Sequence, residues 1–570
     1  MLPVFDPQDS SCKTPFGAVP CGTTVTFTLR DETYYACELL VRREFSGMDE
    51  AAPLPPAEGG FSGVYTAPAE PELCWYGFRF TRDDGSTVCL GKNGWCGQDA
   101  LTRWQLTVYE DTPTPAWFGE GVTYQIFPDR FRRISVPETE GMVGHRWVHP
   151  CWDDQPVFLP EENGQITNRD FFGGSLAGIT EKLDYLQSLS VSTIYLNPIF
   201  EAGSNHRYNT ADYLAIDPML GTEEDFRTLC REAHDRGIRI ILDGVFNHTG
   251  SNSRYFNADG FYPEPGAAQS KDSPYFPWYS FHPWPTEYDA WWGIHTLPAV
   301  NEDAPDYRRF IISDEDSVVR RWLRCGADGW RLDVADELPD DFIAAIRTAI
   351  TQEKPDGYLL GEVWEDGSNK IAYSRRRRYL LGQETHGLMN YPFRTALLAW
   401  LGGGDAADFR RGMETIRENY PPAAFYGAMN FLGTHDTARI LTLLGAEDIP
   451  ADKPERAAYR LSPAELARGQ RRLRLAGMLL YSFPGSPTLY YGDEAGMQGF
   501  EDPLNRGTYP WGQEDASLLA FFRQVGKLRQ TRPSLRRGEI RYLYAQGGGL
   551  VIERRCGDER TVTAPVSYTH

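Results

Sequence analysis

The feature that most limits how this chain can fold is a series of short apolar segments, many closing on a polar or acidic residue, separated by helix-like stretches. From about residue 117 to 530 these segments read GVTYQIF (121–127), VSTIYLN (191–197), IRIILD (238–243), GWRLD (329–333), YLLGE (358–362), GLMNY (387–391), AMNFLGTHD (428–436) and TLYYGDE (488–494). Strands that alternate with helices pair in parallel, because a crossover helix is what returns the chain to the same end of a sheet. Eight such units predict an α/β chain built on a (β/α)8 TIM barrel rather than an open sheet.

One of the intervening helices shows the grammar. Thr222 stands where an N-cap belongs, and Glu223, Glu224 and Asp225 follow at the positive end of the helix dipole. Phe226, Leu229, Cys230, Ala233 and His234 recur at helical spacing and predict one buried face, and Gly237 stops the helix at the C′ position.

The flanks differ in texture. Residues 1–115 carry short alternating runs (TTVTFTL, TYYACELLV, WYGFRF, WQLTVYE) split by Gly, Pro and Asp, the pattern of a β-sandwich of carbohydrate-binding type. DTPTPAWF (111–118) reads as a linker into the barrel, taken as 116–530. After the third strand comes a long connection, 244–304, expected as an inserted subdomain, since loops of that length in compact domains are usually functional. Within it, 275–292 hold nine aromatics in eighteen positions, which suits both a self-packed core and a platform for flat sugar faces. Residues 531–570 (EIRYLYA, GLVIERR, RTVTA) predict a short, partial C-terminal β domain, and the ending APVSYTH does not read as a closing strand. The run Arg375–Arg378 reads as a solvated helix face.

Composition removes some classes of function. Lys and Arg number 57 against 79 Asp and Glu, a net charge of −22 that repels phosphate backbones and anionic membranes and argues against a nucleic-acid or membrane partner. No stretch approaches membrane-spanning length, and MLPVFDPQDSSCKTP lacks the basic start and apolar run of a signal peptide. Ten scattered cysteines without a CxxC pair fit reduced thiols better than a disulfide framework. Together these features predict a cytoplasmic protein.

Barrel active sites sit at the C-terminal ends of the strands, so acids placed there carry the argument. Asp243, Asp333, Glu362 and Asp436 end four strands, with His248 and His435 beside two of them. Arg331 and Asp333 lie at i and i+2 on one strand and face the same way, an arrangement expected to lower the acid's pKa and keep it ionised as a nucleophile must be. Glu362 follows the apolar run YLLG, where desolvation favours a held proton. One charged and one protonated carboxyl is the division of labour in glycoside cleavage, with about 5–5.5 Å between them in a retaining enzyme.

These motifs resemble the α-amylase family. DGVFNH (243–248), GWRLDVADE (329–337), GEVW (361–364) and FLGTHD (431–436) are similar to its four principal conserved regions, in order, and LPAVN (297–301) to a fifth. GVTYQIFPDRF (121–131) resembles its opening strand and GSPTLYYGDEAGM (485–497) its last. The resemblance implies an α-glucan-cleaving enzyme with Asp333 as nucleophile, Glu362 as acid/base, Asp436 as third carboxylate and Arg331 orienting the nucleophile. It implies that His248, His435, His206, Asp502 and Arg506 contact the sugar at the cleavage point and that Tyr208 stacks beneath it. No cofactor is required by that scheme. Asn247 matches a calcium ligand of many secreted members, which leaves room for a calcium ion, although one neutral ligand is not a cage.

FFGGSL (171–176), LPAVN, MNYPF (389–393) and the N-terminal β domain resemble the branch of neopullulanases, cyclomaltodextrinases and maltogenic amylases. The branch implies maltodextrin, cyclodextrin or pullulan substrates and a homodimer formed through the N-terminal domain. Asp336 stands where that branch usually has Asn, and LPAVN replaces MPKLN, so substrate preference is the open part. A transglycosylase of the same family and a non-catalytic carbohydrate-binding relative are the alternatives. The second usually lacks a carboxylate that this chain keeps. A metal-dependent barrel hydrolase would want His-x-His at a strand end, and none is present.

Overall fold

The computed structural model describes residues 4–162, 164 and 166–567. Two compact units are present. One takes the chain up to Thr114 together with Glu365–His386 and Arg410–Phe425, and the other takes Pro115–Trp364, Gly387–Phe409 and the chain from Tyr426 onward.

In the first unit a four-stranded sheet (Lys13–Thr14, Thr24–Leu29, Gly60–Thr66, Pro56–Ala57) and a seven-stranded sheet share one core. Ala36–Arg43 alternates between more and less buried positions along its length, as a strand with one face on a core must. Val25, Phe27, Leu39, Tyr76 and Phe78 are fully buried between the sheets. The run at Arg375–Arg378 is not the helix face expected. Arg375–Arg376 pairs antiparallel with Ile371–Ala372 across a turn in which Tyr373 and Ser374 take positive φ of 49° and 63°. Arg376 packs over the Trp75 ring at 5.3 Å and reaches Glu44 at 3.1 Å, so its charge serves packing and pairing, while Arg375 stays exposed.

The second unit is the barrel. Its strands are β1 (Thr123–Ile126), β2 (Thr193–Leu196), β3 (Arg239–Gly244), β4 (Gly329–Leu332), β5 (Tyr358–Gly361), β6 (Gly387–Leu388), β7 (Met429–Phe431) and β8 (Ser486–Tyr490). All pair in parallel in the order 6-5-4-3-2-1-8-7, and a Met389–Met429 bridge closes the ring. The weakest expected strand, at 387–391, is thus real but only two residues long. Helix α1 (Glu223–Asp235) carries a full capping box between Thr222 and Asp225, and Gly237 follows it at φ 72°. Phe226, Leu229, Cys230 and Ala233 form its buried face. His234 does not join them: its side chain is 37% exposed and its Nε2 lies 2.7 Å from Asp328.

Register decides what faces inward. Tyr195 lies beside Ile241 and Asp243 beside Arg331 in neighbouring strands. Side chains of period two then place Tyr195, Ile241, Leu360 and Phe431 in the barrel core. Two residues further along β3 and β5, the same inward positions hold Asp243 and Glu362, just beyond the apolar plug. The connection after β3 is largely irregular and self-packed, with Trp278 and Tyr279 buried and Phe276 stacked on Phe281 at 5.3 Å. At its rim Trp292 is 80% exposed, so the aromatic segment divides between core and surface.

Beyond the barrel, Glu539–Gln546, Gly549–Cys556 and Glu559–Thr563 form a three-stranded antiparallel sheet. The segment APVSYTH is described only as far as Ser567, its last three residues lying outside the described residues. Its described part adds an isolated antiparallel bridge rather than a strand: the Leu550 and Ser567 N–H groups donate to Pro565 and Gly548 carbonyls at 3.1 and 2.8 Å. Among the described residues no helix is long and apolar enough to cross a membrane.

Candidate active site

One guanidinium organises the mouth of the barrel. Arg331, wholly buried on β4, donates through one terminal nitrogen to Asp243 Oδ1 at 2.7 Å and to Asp333 Oδ1 at 2.8 Å. Its other terminal nitrogen lies 2.8 Å from Glu362 Oε2, at ion-pair distance but off the line of an N–H. Three carboxylates therefore share one cation. That sharing overturns the expectation of a lowered Asp333. Burial pushes the Asp333 carboxyl well above its ordinary value, Glu362 and Asp243 push the same way, and Arg331 only partly offsets them. Asp243 is likewise raised, first by burial, with Arg331 and its tyrosine partners opposing.

Asp243 is a strut. Besides Arg331 it accepts from Tyr195 at 2.7 Å and from Tyr208 at 2.8 Å, which uses up its oxygens. Tyr208 in turn lies 2.7 Å from His435 Nε2, with the two rings parallel at 5.2 Å. The Gln125 amide meets His435 Nδ1 at 2.9 Å, so Nδ1 accepts and Nε2 carries the hydrogen. Burial and the nearby Arg506 hold His435 well below its usual pKa, and burial alone brings His248 down to about 4. Both rings are neutral donors at pH 7. His248 Nε2 donates to the Tyr208 carbonyl at 3.1 Å, and its ring stacks on Trp291 at 5.2 Å.

Asp436 lies 3.2 Å from His435 Nε2 and 3.5 Å from Arg506, and Arg506 also pairs with Asp502 at 2.8 Å. Burial and the Glu362 charge raise its carboxyl, while Arg506 and Arg331 oppose them. His206 accepts the Tyr208 N–H at Nδ1, 3.1 Å away, and is kept neutral mainly by desolvation. The structure thus links Asp333, Glu362, Asp436, Arg331, His435, His248, His206, Tyr208, Asp502 and Arg506 in one network at the same barrel mouth.

Asn247 lies apart from this network in character. Its side chain is 3% exposed, and neither amide atom has a hydrogen-bond partner among the described residues. Calcium wants six to eight oxygens, several of them carboxylate. Among the described residues no group of three His, Cys, Asp or Glu side chains is gathered that could hold a metal ion.

Several contributors went unassigned in the sequence although Trp364, Tyr391 and Val334 stand inside the quoted motifs. Trp364, 50% exposed, directs its indole N–H to Glu362 Oε1 at 3.3 Å and stacks on Tyr391 at 4.2 Å; the Tyr391 hydroxyl reaches the same oxygen at 3.4 Å. The Val334 N–H donates to Glu362 Oε2 at 2.8 Å. Tyr195 and Gln125 were legible in principle, since each stands in an apolar strand segment at a position that strand alternation can assign to the barrel interior.

Comparison with known proteins agrees with this geometry. Residues 125–521 match the family described as alpha amylase, catalytic domain. An amylopullulanase from Thermoanaerobacterium saccharolyticum is 37% identical over 96% of this chain and 46% of its own length; the chain thus spans under half of that relative. A cyclomaltodextrinase from Geobacillus thermopakistaniensis is 34% identical over 78% of this chain and 68% of its own. Among solved structures, the type III pullulan hydrolase from Thermococcus kodakarensis superposes with a TM-score of 0.69 at 29% identity, covering 98% and 93% of the two chains. With carboxylates gathered at the mouth of an eight-stranded barrel and a family match over most of the chain, the protein belongs to the α-amylase family of glycoside hydrolases.

Proposed function

We propose that the protein is a retaining α-glycosidase acting on maltodextrins, cyclodextrins and pullulan, with Asp333 as nucleophile and Glu362 as acid/base. The observation that carries this reading is the single Arg331 guanidinium shared by Asp333 and Glu362. A cation common to both carboxyls draws them toward one another, which suits the shorter separation of direct attack by a carboxylate.

The chemistry follows in two steps. Asp333 bonds to the anomeric carbon as the glycosidic C–O bond breaks, and Glu362 delivers its proton to the departing oxygen. Glu362, now ionised, takes a proton from water, whose oxygen displaces Asp333 and restores the α-configuration. In the resting site burial and the neighbouring acids favour a proton on Asp333. The positive charge that develops on the sugar ring favours ionised Asp333 and leaves that proton on Glu362. Asp436, held by Arg506 and His435, is positioned to accept sugar hydroxyls, and Tyr208 to lie against the ring face.

The names of the relatives supply the substrate classes: pullulan and amylose-type chains in one set, cyclic dextrins in the other. A transfer reaction is the second reading, favoured by Trp364, whose half-exposed ring beside Glu362 can seat an acceptor sugar in place of water. Separate digests of β-cyclodextrin, pullulan, starch and maltotriose, each chromatographed early, distinguish these outcomes. Cleavage of β-cyclodextrin and pullulan is expected, and in the maltotriose digest any product longer than maltotriose would mark transfer. Failure to cleave any of the four would overturn the proposal.

A further inference from the structure

The residue after Asp333 has a backbone that its side chain resists. Val334 lies at φ 36°, ψ 62°, in the left-handed region where a β-branched residue is a rare outlier. The ladder between β4 and β5 says what the twist accomplishes. Leu332 pairs with Gly361, and the Glu362 N–H donates to the Leu332 carbonyl at 3.1 Å. A regular parallel ladder would next send the Val334 N–H to the Glu362 carbonyl. Instead the Ala335 N–H takes that carbonyl, at 3.2 Å. One residue has been inserted, as in a β-bulge, and the released Val334 N–H points to the Glu362 side chain at 2.8 Å from Oε2.

We propose that Val334 is a positioning residue: this strained one-residue bulge supplies a fixed N–H donor that ties the Glu362 carboxyl to the strand end bearing Asp333. Besides the Arg331 ion pair at 2.8 Å, the other partners of the Glu362 carboxyl, Trp364 and Tyr391, stand at 3.3 and 3.4 Å, so the Val334 N–H is its shortest aligned hydrogen-bond donor. The charged and titratable groups around it are Arg331 and Asp333 from β4, Asp436 from beyond β7, Tyr195 from β2 and Tyr391. Among the described residues, the bulge alone contributes a donor to this carboxyl that neither titrates nor changes rotamer.

The inference rests on Glu362 being the acid/base, so its test runs beside Glu362→Gln. Replacing Val334 by its α-hydroxy analogue turns the amide into an ester, deleting the N–H while keeping the side chain. A donor to a carboxylate favours its charged form, so without it the acid/base keeps its proton to higher pH. The ester variant is expected to lose about tenfold in kcat, hold KM within about twofold and move the alkaline limb of kcat up by roughly one pH unit. Val334→Asn, which tolerates left-handed backbone and retains the N–H, is expected to leave that limb in place. An ester variant with lowered Tm but an unmoved limb would mean that the bulge is only structural, and the proposal falls; so it does if Val334→Asn shifts the limb as far as the ester. Full activity in Glu362→Gln would instead remove the acid/base reading itself.

Discussion

Asp333→Asn is expected to lower kcat on maltodextrin by about 10⁴-fold or more, roughly 5 kcal/mol of barrier, while the fold stays intact. The amide is nearly isosteric and can still accept from Arg331, which now sits 2.8 Å from the Asp333 oxygen. It cannot form the covalent ester. Because burial among carboxylates already raises the Asp333 proton affinity, a neutral side chain suits the resting site and Tm should hold or rise. Glu362→Gln is expected to be comparably inert on maltodextrin for a different reason, the loss of the proton donor. An α-maltosyl fluoride separates the two roles, since fluoride departs with little help from an acid. It should restore much of the first step in Glu362→Gln and none in Asp333→Asn. Equal rescue of both variants would contradict the assignment.

Arg331→Leu should have the largest effect on stability. The guanidinium is wholly buried and is the shared counterion of Asp243, Asp333 and Glu362. Removing one member of a buried pair costs about 3–5 kcal/mol, because the other charge is left uncompensated. Here three carboxyls are left, and they escape repulsion by binding protons. The folded state then binds more protons than the unfolded chain, so stability falls as pH rises. Thermal unfolding of the variant and the parent at pH 5 and pH 8 should show a gap that widens at pH 8. A gap that narrows would mean that Arg331 is not the counterion of this cluster. Arg331→Lys should recover only part of the loss, because an ammonium cannot present the two terminal nitrogens that now divide between Asp333 and Glu362.

The sequence made the barrel readable because a parallel sheet buried on both faces leaves unbroken apolar segments, and these end at the functional face. IRIILD and GWRLD announced both their strands and their acids. The two-residue strand at Gly387–Leu388 was faint because most of its closure comes from one bridge, Met389 to Met429. The Arg375–Arg378 run misled because charge density alone does not distinguish a solvated helix from a hairpin whose arginines lie over aromatic rings. The electrostatics misled in another way. Spacing placed Arg331 beside Asp333 correctly, but only the register of β3, β4 and β5 reveals that the same cation is divided among three acids. Val334 gave no signal, since nothing in GWRLDVADE marks a left-handed residue, and valine is a poor candidate for one.

The central claim, double displacement through Asp333, is met most directly by proton NMR of the first product released. Maltodextrin is mixed with enzyme, and the anomeric region is followed before mutarotation mixes the forms. Two inversions at one carbon leave the new reducing end in the α-configuration, so the α-anomer signal should appear first and the β signal grow in later at the rate of mutarotation. Initial release of the β-anomer would mean a single inversion by water, and Asp333 could not be the nucleophile.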